Sequence, residues 1–536
     1  MDSPSNQRVC LEGPSKSAQQ ASVTWTGRFA RETWRLTCAR SPPRATSRLH
    51  QHVARYTAAR AAAARVHKNP TSPAGAHDHH HHRSSDRPRP WTTTARRRCR
   101  RSSSTSSPPS PTGGHSAAAA AIPNPIARHP LYHPSPTFFI SPTDVVLRDI
   151  LFDASPASAA GERRRRHVAA YHRAGPRREV AFDSATVRAA IVTCGGLCPG
   201  TNTVVRELVV GLSELYGVRG GVFGVRNGYR GFYSEEAVPL DPAAVEHWHK
   251  SGGAALGTSR GGFDLARIVD AIERHGFNQV YAVGGDGTMR GAARIHGEVR
   301  RRGRLAVAVA GIPKTVDNDV GVIDRSFGFH TEVEAAQQAI AAGHVEAESA
   351  ANGVGLVKLM GRSAGHIALH ATLSSRDVDC CLIPEEDFYL RGAGGLFDFL
   401  YRRIKDNGHA VVVVAEGAGQ RLIPRTAGDE AFLDVGAWLK AELRAWRSTP
   451  ARYMIRAVPA NAGDNLYCTL LAHAAIHGAM AGYTGFVSGT INGNYAYIPM
   501  DEVAEAKNPV DTKDHKWAWV RSITNQPDFI RAGPTS

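Results

Sequence analysis

The sequence predicts a doubly wound α/β fold with parallel sheets. From about residue 186 onward, short β-branched runs alternate with amphipathic helical patterns. The runs are apolar along their whole length, which is typical of strands buried on both faces of a parallel sheet. Ligands of such folds bind beyond the carboxyl ends of the strands. The strand-like runs are Ala189–Thr193, Val280–Val283, Leu305–Ala310, Val354–Leu359, Cys380–Ile383, Val411–Ala415 and Tyr453–Val458.

Helical patterns separate these runs. One of them has apolar residues at Leu265, Ile268, Val269 and Ile272, the i, i+3, i+4, i+7 spacing of a helix with one buried face. Asp264 stands directly before it and is suited to accept a hydrogen bond from a backbone N–H of the first turn. We therefore expect a helix to begin at residue 265 and to cover the sheet.

The chain length and the net charge limit the number of domains and the classes of partner. A chain of 536 residues is long enough for at least two domains. Its formal net charge of +17 is unevenly distributed, because residues 1–140 contain 21 Lys+Arg and 5 Asp+Glu, whereas residues 141–536 contain 44 and 43. The positive excess is the only feature that suggests a nucleic-acid partner, and it belongs to the N-terminal quarter. No apolar run reaches the roughly 18 residues of a membrane-spanning helix, which excludes an integral membrane protein.

The N-terminal quarter is rich in Ser, Pro, Ala and Arg and has no apolar periodicity. Such a segment cannot bury enough apolar surface to offset the entropy of ordering the chain. We therefore expect residues 1–140 to form a disordered, basic, low-complexity tail, followed by an N-terminal extension over residues 141–185. Its Arg- and Ser-rich character is also typical of transit peptides, but Asp2, Glu12 and Glu32 are not. The expected compartment is the cytoplasm, with the plastid as the alternative.

Glycine-rich turns follow two of the predicted strands. Gly195–Asn202 opens a helical pattern, so that its backbone N–H groups and the helix dipole suit a phosphate, with a tight structural turn as the equal alternative. Gly284–Thr288 adds the carboxylate of Asp286, which suits a nucleotide whose phosphates arrive with Mg²⁺. A helix cap is the alternative for Asp286. The second turn thus indicates a nucleotide more firmly than the first.

A third turn, Pro313–Asp319, follows another predicted strand and is rich in charge. It places the carboxylates of Asp317 and Asp319 close to the ammonium of Lys314. Such a cluster is costly unless it serves a metal, a phosphate or a proton transfer. A solvated Asx turn is the alternative. The repetition of polar turns at three strand ends favours a functional site.

The ordered motifs resemble those of the ATP-dependent 6-phosphofructokinases, most closely their plant-type branch. The resemblance covers roughly residues 170–530. It rests on GGLCPGTN (Gly195–Asn202), LGTSRGG (Leu256–Gly262), GGDGT (Gly284–Thr288), PKTVDND (Pro313–Asp319), FGFHT (Phe327–Thr331), MGRSAG (Met360–Gly365), AEGAGQ (Ala415–Gln420) and YMIR (Tyr453–Arg456).

The resemblance implies a phosphofructokinase fold of two doubly wound parallel-sheet domains with the active site in the cleft between them. An ATP-binding domain would comprise residues 186–332 and about 455–505, and a fructose 6-phosphate-binding domain residues 333–454 and about 506–536. It also implies ATP and fructose 6-phosphate as small-molecule substrates, Mg²⁺ as cofactor and a homo-oligomer, with a tetramer favoured. No specific nucleic acid and no membrane would be a partner.

The resemblance also implies a role for individual residues. Asp317 would be the general base that takes the proton from the 1-hydroxyl of fructose 6-phosphate. Arg362 and Arg456 would hold the 6-phosphate, and Lys314, Thr315 and Val316 would lie at the transferring phosphate. The nucleotide-contacting positions would be Gly195, Arg260, Gly261, Gly285, Asp286, Gly287 and Thr288, with Asp286 as the Mg²⁺ ligand. The sugar pocket would be shaped by Met360, Gly361, Glu416, Tyr453, Met454 and Ile455.

Gly287 and Lys314 bear on the phosphoryl donor. Pyrophosphate-dependent relatives carry a second Asp at the position of Gly287, where glycine leaves room for ATP. They also use a lysine at the position of Lys314, so the two residues point to different donors. A pyrophosphate-dependent phosphofructokinase and a non-catalytic regulatory subunit remain the alternatives.

His366 replaces an expected Phe, which we interpret as tolerated drift.

Overall fold

The computed structural model describes residues 121–150, 169–303, 305–425, 433–446 and 458–529, and the structural statements below concern these residues. The predicted disorder of residues 1–120 lies outside them. The prediction that the tail extends to residue 140 is wrong, because Ile122–Pro123 pairs antiparallel with Glu179–Val180 and Ile126 is only 1% exposed. The side chain of Asn124 donates to the carbonyl of Arg177 at 2.7 Å. Isolated anchors of this kind leave no periodic signal in the sequence.

The strands, in chain order, are β1 (Ile122–Pro123), β2 (Val145–Leu147), β3 (Ala170–Arg173), β4 (Glu179–Val180), β5 (Ala189–Thr193), β6 (Val222–Val225), β7 (Val238–Leu240), β8 (Gln279–Gly284), β9 (Ala308–Pro313), β10 (Val354–Leu359), β11 (Cys380–Leu382), β12 (Ala410–Ala415), β13 (Phe486–Ile491) and β14 (Asn494–Pro499).

The α-helices are α1 (Thr201–Val210), α2 (Gly231–Ser234), α3 (Pro242–Val245), α4 (Leu265–His275), α5 (Asp286–Arg302), α6 (Phe329–Glu348), α7 (His366–Ser375), α8 (Leu396–Asn407), α9 (Val435–Trp446), α10 (Ala462–Met480), α11 (Met500–Glu505) and α12 (His515–Ile523). Short 3₁₀ turns span Pro125–Arg128, Gly228–Arg230 and Trp248–Lys250, and a π turn, Gly211–Leu215, continues α1. Among these helices, none is both long and apolar enough to cross a bilayer.

Two sheets organise the described chain, which confirms the predicted α/β class with parallel sheets. The larger sheet has the order β2-β3-β14-β13-β9-β8-β5-β6-β7, and the smaller one the order β10-β12-β11. Strands β13, β9, β8, β5 and β6 run parallel to one another. On one side β7 pairs antiparallel with β6, and on the other the pairs β13–β14, β14–β3 and β3–β2 are all antiparallel. All pairs in the smaller sheet are parallel.

Alternating residues of the larger sheet enter two different cores, as a doubly wound sheet requires. In β5, Ile191 packs with α1 and α10 on one face, and Val192 packs with α4 and α5 on the other. Helix α4 begins as predicted, with the Asp264 carboxylate accepting from the Arg267 N–H at 3.1 Å. The smaller sheet is also covered on both faces, by α6 and α7 on one side and by α8 and α9 on the other.

Some strands differ from their predicted bounds, and others were not predicted. Strand β9 begins at Ala308 rather than Leu305, because pairing with β8 starts at Gln279 opposite Ala308. The hairpin β13–β14 was not predicted, although its turn, Asn492-Gly493, is a strong hairpin signal between apolar runs. Both turn residues have positive φ, 50° and 73°. The predicted strand Tyr453–Val458 falls almost wholly outside the described residues.

Candidate active site

A cavity of about 450 Å³ lies where the three predicted turns meet, at the carboxyl ends of β5, β8 and β9. This volume is in the range of small-molecule sites. The loop after strand β10 of the smaller sheet contributes Met360 and Arg362, so residues that follow strands of both sheets line the cavity. The predicted site residues that line it are Gly195, Arg260, Gly261, Gly285, Asp286, Gly287, Thr288, Lys314, Thr315, Val316, Asp317, Met360 and Arg362.

The other predicted residues are placed differently. Gly361 is buried between Met360 and Arg362. Glu416 lies at the end of β12, where its carboxylate contacts the Arg362 guanidinium. Tyr453, Met454, Ile455 and Arg456 lie outside the described residues. Their predicted contacts with the sugar phosphate stay predictions.

The first turn is held against the loop Leu256–Gly262 by backbone contacts. The Gly195 N–H donates to the Ser259 carbonyl at 3.1 Å, and the Thr258 hydroxyl donates to the Gly195 carbonyl at 2.7 Å. Gly195 has a φ of +89°, a left-handed conformation that glycine adopts without steric cost. The pairing brings the guanidinium of Arg260 to the cavity that Gly195–Cys198 also line.

Two aromatic side chains, Tyr229 and Phe263, also line the cavity and were not predicted. Their rings meet edge to face at 5.2 Å, and the Tyr229 hydroxyl donates to the Thr288 carbonyl at 2.8 Å. Tyr229 follows β6, whose apolar run is interrupted by Gly224. A Cβ at residue 224 would lie 2.5 Å from Leu256, so close packing requires glycine at this position. The same glycine interrupts the apolar run, which is why the strand was not predicted.

Asp286 is the first residue of α5 and presents its carboxylate at the helix N-terminus. One carboxylate oxygen accepts from the Gly287 N–H at 2.7 Å, and the other lies 3.1 Å from the Arg290 guanidinium. The side chain is 58% exposed. It therefore remains accessible to a ligand entering from the cavity while the N–H groups of the first helical turn supply positive potential.

Lys314 is the buried cation of the cavity wall. Only 5% of the residue is exposed, and its ammonium donates to the Gly196 carbonyl at 2.6 Å. Burial lowers its pKa, and the nearby Arg260 guanidinium lowers it further. Burial also raises the pKa of Cys194 to about 11 and of Cys198 to about 12, so both neighbouring thiols stay neutral at physiological pH. The ammonium thus faces the cavity without a thiolate beside it.

The third turn is shaped by hydrogen bonds around Asp317. The Thr315 hydroxyl donates to the Asp319 carboxylate at 2.6 Å, and the Asn318 side chain accepts from the Ser326 N–H at 2.8 Å. Asn318 has a φ of 57°, which turns the chain immediately after Asp317. These contacts are not those of a solvated Asx turn, because Asn318 is 7% exposed and accepts from a residue eight positions later. Asp317 lies half-buried on the cavity wall.

The smaller sheet presents Arg362 and Glu416 together. The Arg362 guanidinium lies 3.3 Å from the Glu416 carboxylate. Two backbone hydrogen bonds join the segment after β12 to the end of β10 and the loop that follows it. The Glu416 N–H donates to the Leu359 carbonyl at 2.9 Å, and the Gly417 N–H donates to the Gly361 carbonyl at 3.0 Å. Gln420 fixes the same loop by donating to the carbonyls of Glu416 and Leu433.

Gly417 allows this close approach, and its replacement tests the loop. A Cβ at residue 417 would lie 2.0 Å from the Arg362 carbonyl oxygen. We expect Gly417→Ala to displace the Arg362 backbone and to weaken binding of an anion at that guanidinium. Steady-state kinetics with a phosphorylated sugar should show a raised KM. Gly297→Ala, where a Cβ meets nothing within 4 Å, is the control and should leave KM unchanged; an equal KM for both variants would contradict the expectation.

Comparisons with known proteins were made on sequence and on structure. The phosphofructokinase family model matches residues 188–479. ATP-dependent 6-phosphofructokinase 2 of Arabidopsis thaliana is 64% identical over 427 residues, which cover 76% of this chain and 94% of that protein. The ATP-dependent 6-phosphofructokinase of Borreliella burgdorferi is 42% identical over 380 residues, 66% of this chain and 85% of that protein.

The fold has counterparts among solved structures. The pyrophosphate-dependent phosphofructokinase of Marinobacter aquaeolei aligns with a TM-score of 0.53 at 20% identity, covering 64% of this chain and 93% of that one. Phosphofructokinase of Pichia pastoris aligns with a TM-score of 0.50 at 21% identity, covering 60% and 35%. The family match, the curated relatives and the shared fold agree with the turns that converge on the cavity, and this chain belongs to the phosphofructokinase family.

Proposed function

We propose that the cavity is the active site of an ATP-dependent 6-phosphofructokinase. The reaction transfers the γ-phosphate of ATP to the 1-hydroxyl of D-fructose 6-phosphate and gives fructose 1,6-bisphosphate and ADP. The observation that carries the proposal is the convergence of three separate turns on one cavity that Arg362 also lines from the smaller sheet. The names of the curated relatives support ATP as donor.

Asp317 acts as the general base in this proposal. It takes the proton of the 1-hydroxyl as that oxygen attacks the γ-phosphorus. Its place on the cavity wall, in the same turn as Lys314 and Thr315, supports the role. Phosphoryl transfer needs little more from the protein than positioning and charge neutralisation.

Cations and backbone amides supply that neutralisation. In this proposal Lys314, Arg260 and the N-terminus of α5, all of which line the cavity, face the nucleotide. Arg362 lies on the sugar side, where a planar guanidinium suits a phosphate dianion. We propose that Arg362 exchanges its contact with Glu416 for the 6-phosphate, which leaves Glu416 to accept from sugar hydroxyls. Tyr453, Met454, Ile455 and Arg456 complete the sugar pocket in this proposal.

The donor set fits Mg²⁺ delivered with a nucleotide. Asp286 offers one exposed carboxylate at a helix N-terminus, and Mg²⁺ in kinases is held by one or two carboxylates together with substrate phosphates. Within the described residues no cluster of three or more His, Cys, Asp or Glu side chains forms an all-protein metal site. Asp286 would hold the ion, and the ion would neutralise charge on the phosphates.

Gly287 should decide between ATP and pyrophosphate. A Cβ at this position meets only the Arg290 guanidinium, at 3.9 Å, so Gly287→Asp should fold normally. The added carboxylate would repel the nucleotide phosphates, and we expect kcat/KM for ATP to fall by about 10–10²-fold, as a repulsion of a few kcal/mol implies. Gly287→Asn adds nearly the same bulk without the charge and should lose much less.

The proposal is tested by a coupled assay of the full chain with fructose 6-phosphate and either ATP or pyrophosphate. We expect fructose 1,6-bisphosphate to form with ATP and Mg²⁺, and turnover to stop when the metal is chelated. Turnover with pyrophosphate and none with ATP would establish the pyrophosphate-dependent alternative. Activity with neither donor would favour the non-catalytic subunit.

Finer assignments belong to the same proposal. Residues 186–332 and about 455–505 would form the ATP-binding domain, and residues 333–454 and about 506–536 the fructose 6-phosphate-binding domain. A homo-oligomer, with a tetramer favoured, is supported by Leu466 and Leu470, which lie one turn apart on α10 and are 62% and 42% exposed. Light scattering of the purified protein would give the mass of the oligomer.

We propose a cytoplasmic location with the plastid as alternative, since the curated relatives include chloroplastic enzymes.

A further inference from the structure

A short segment near the C-terminus, Ala506–Val510, contacts both the third turn and the elements that follow the Arg362 loop. We call it the strap. It lies between α11, which packs on the larger sheet, and α12, whose Trp517 and Val520 are buried in the core that both sheets share. Strap residue Lys507 forms an isolated antiparallel bridge with Val320, directly after the third turn.

Asn508 holds the third turn through two hydrogen bonds. Its side-chain amide donates to the Asn318 carbonyl at 2.8 Å, and its backbone N–H donates to the Asp319 carbonyl at 3.1 Å. The peptide unit that bears the first of these carbonyls is next to that of Asp317. The strap therefore restrains the backbone on the carboxyl side of the proposed general base.

The same strap holds the smaller sheet's contribution to the site. The His366 Nε2 lies 2.8 Å from the Asn508 carbonyl oxygen, which can only accept, so the imidazole donates. His366 is the first residue of α7, four residues after Arg362. Two residues along the strap, the Val510 N–H donates to Glu385 at 2.7 Å, and the same carboxylate accepts from the Gly365 N–H at 3.0 Å. The last residue of the MGRSAG loop is thus connected to the strap through Glu385, and the first residue of α7 is hydrogen-bonded to it directly.

We propose that Asn508 and His366 are positioning residues that fix the turn of Asp317 relative to the loop of Arg362. This inference rests on the roles proposed above for Asp317 and Arg362. Neither residue lines the cavity, so their effect is indirect. Misplacement of reacting groups by about 1 Å costs on the order of 10²-fold in rate, so two hydrogen bonds from outside the site suffice to matter. In this proposal His366 has a positioning role, which is an alternative to its interpretation as drift.

The first test replaces each positioning residue in the full chain. Asn508→Ala should lower kcat by roughly 10-fold or more while leaving the KM for ATP near the wild-type value, because the nucleotide turns keep their own contacts. His366→Phe should lower kcat and raise the KM for fructose 6-phosphate, and His366→Gln, whose amide can donate from a similar position, should recover most of the loss. Asn494→Ala, which removes a side-chain to backbone hydrogen bond at the β13–β14 turn, is the matched control.

The second test shows whether Asn508 acts through Asp317. If it does, adding Asn508→Ala to Asp317→Asn lowers kcat no further, since the two changes remove one function. A full additive loss would overturn the proposal, as would wild-type kcat for Asn508→Ala or a lowered Tm as its sole effect. Failure of the function itself would look different, because the wild-type chain would then not phosphorylate fructose 6-phosphate with ATP.

Discussion

Replacing Asp317 with Asn is expected to lower kcat by about 10²–10⁴-fold, the range that a positioned general base contributes. Asparagine is close in size and keeps the shape of the turn, but its amide cannot accept the proton of the attacking hydroxyl. Binding of Mg·ATP, measured by calorimetric titration, should change little, because the substitution leaves the residues proposed to contact the nucleotide, Lys314 and the two glycine-rich turns among them, unchanged.

Asp319→Asn is the matched control for this prediction. It removes one negative charge from the same turn, yet its amide oxygen can still accept from the Thr315 hydroxyl, which lies 2.6 Å from the Asp319 carboxylate. We expect a much smaller loss of kcat. If both variants lose turnover equally, the cavity needs the charge of the turn and not a base at residue 317.

Replacing Lys314 with Met should lower kcat by about 10²–10³-fold, the effect of removing one preorganised group that stabilises charge in the transition state. Methionine fills the buried space but leaves the Gly196 carbonyl without its donor. Lys358→Met is the control. Lys358 is also buried, but its ammonium lies 3.0 Å from the Asp434 carboxylate, and neither residue lines the cavity. The control should melt at a lower temperature and keep most of its kcat. If Lys314→Met kept its kcat and Lys358→Met lost it, the proposed role of Lys314 in stabilising the transition state would be contradicted.

The lowered pKa of Lys314 adds a pH dependence to this prediction. A lysine carries its charge below its pKa, and here burial moves that pKa below the usual range. As pH rises, Lys314 of the free enzyme should therefore lose its proton earlier than an exposed lysine. We expect kcat/KM for ATP to fall on the alkaline side of the profile. Lys314→Arg, which stays charged, should retain activity to higher pH than the wild type does, relative to its own maximum.

Much of the site was predictable because its turns follow buried, uninterrupted strands. Strands β5 and β10 lie at their predicted bounds, and the turn or loop after each carries predicted residues to the cavity. Tyr229 was missed since Gly224 breaks the apolar run of β6, and the glycine is there for packing against Leu256. The strap was missed for another reason. Asn508 acts through hydrogen bonds to backbone carbonyls far away in sequence, and no local pattern encodes such contacts.

Short strands at the two sides of the larger sheet show the same limit. Strands β2, β3 and β7 are short and pair antiparallel, so few residues in each carry a signal. The two sheets, in contrast, were implied by the family resemblance and by apolar runs of five or six residues. Periodicity identifies what is buried, whereas contacts between distant loops depend on the finished fold.

The position of the β13–β14 hairpin has a consequence for how the chain folds. These strands lie near the C-terminal end of the sequence, yet in the larger sheet they stand between β9 and β3. Strands β2 and β3 are made early, but they can join the sheet only after residue 499 has left the ribosome. Until then, the edge of β9 and the apolar faces that the hairpin covers stay open to other chains. Synthesis of this protein should therefore depend on chaperones that shield a nearly complete chain, and folding should be slow because its decisive strand pairs are so distant in sequence.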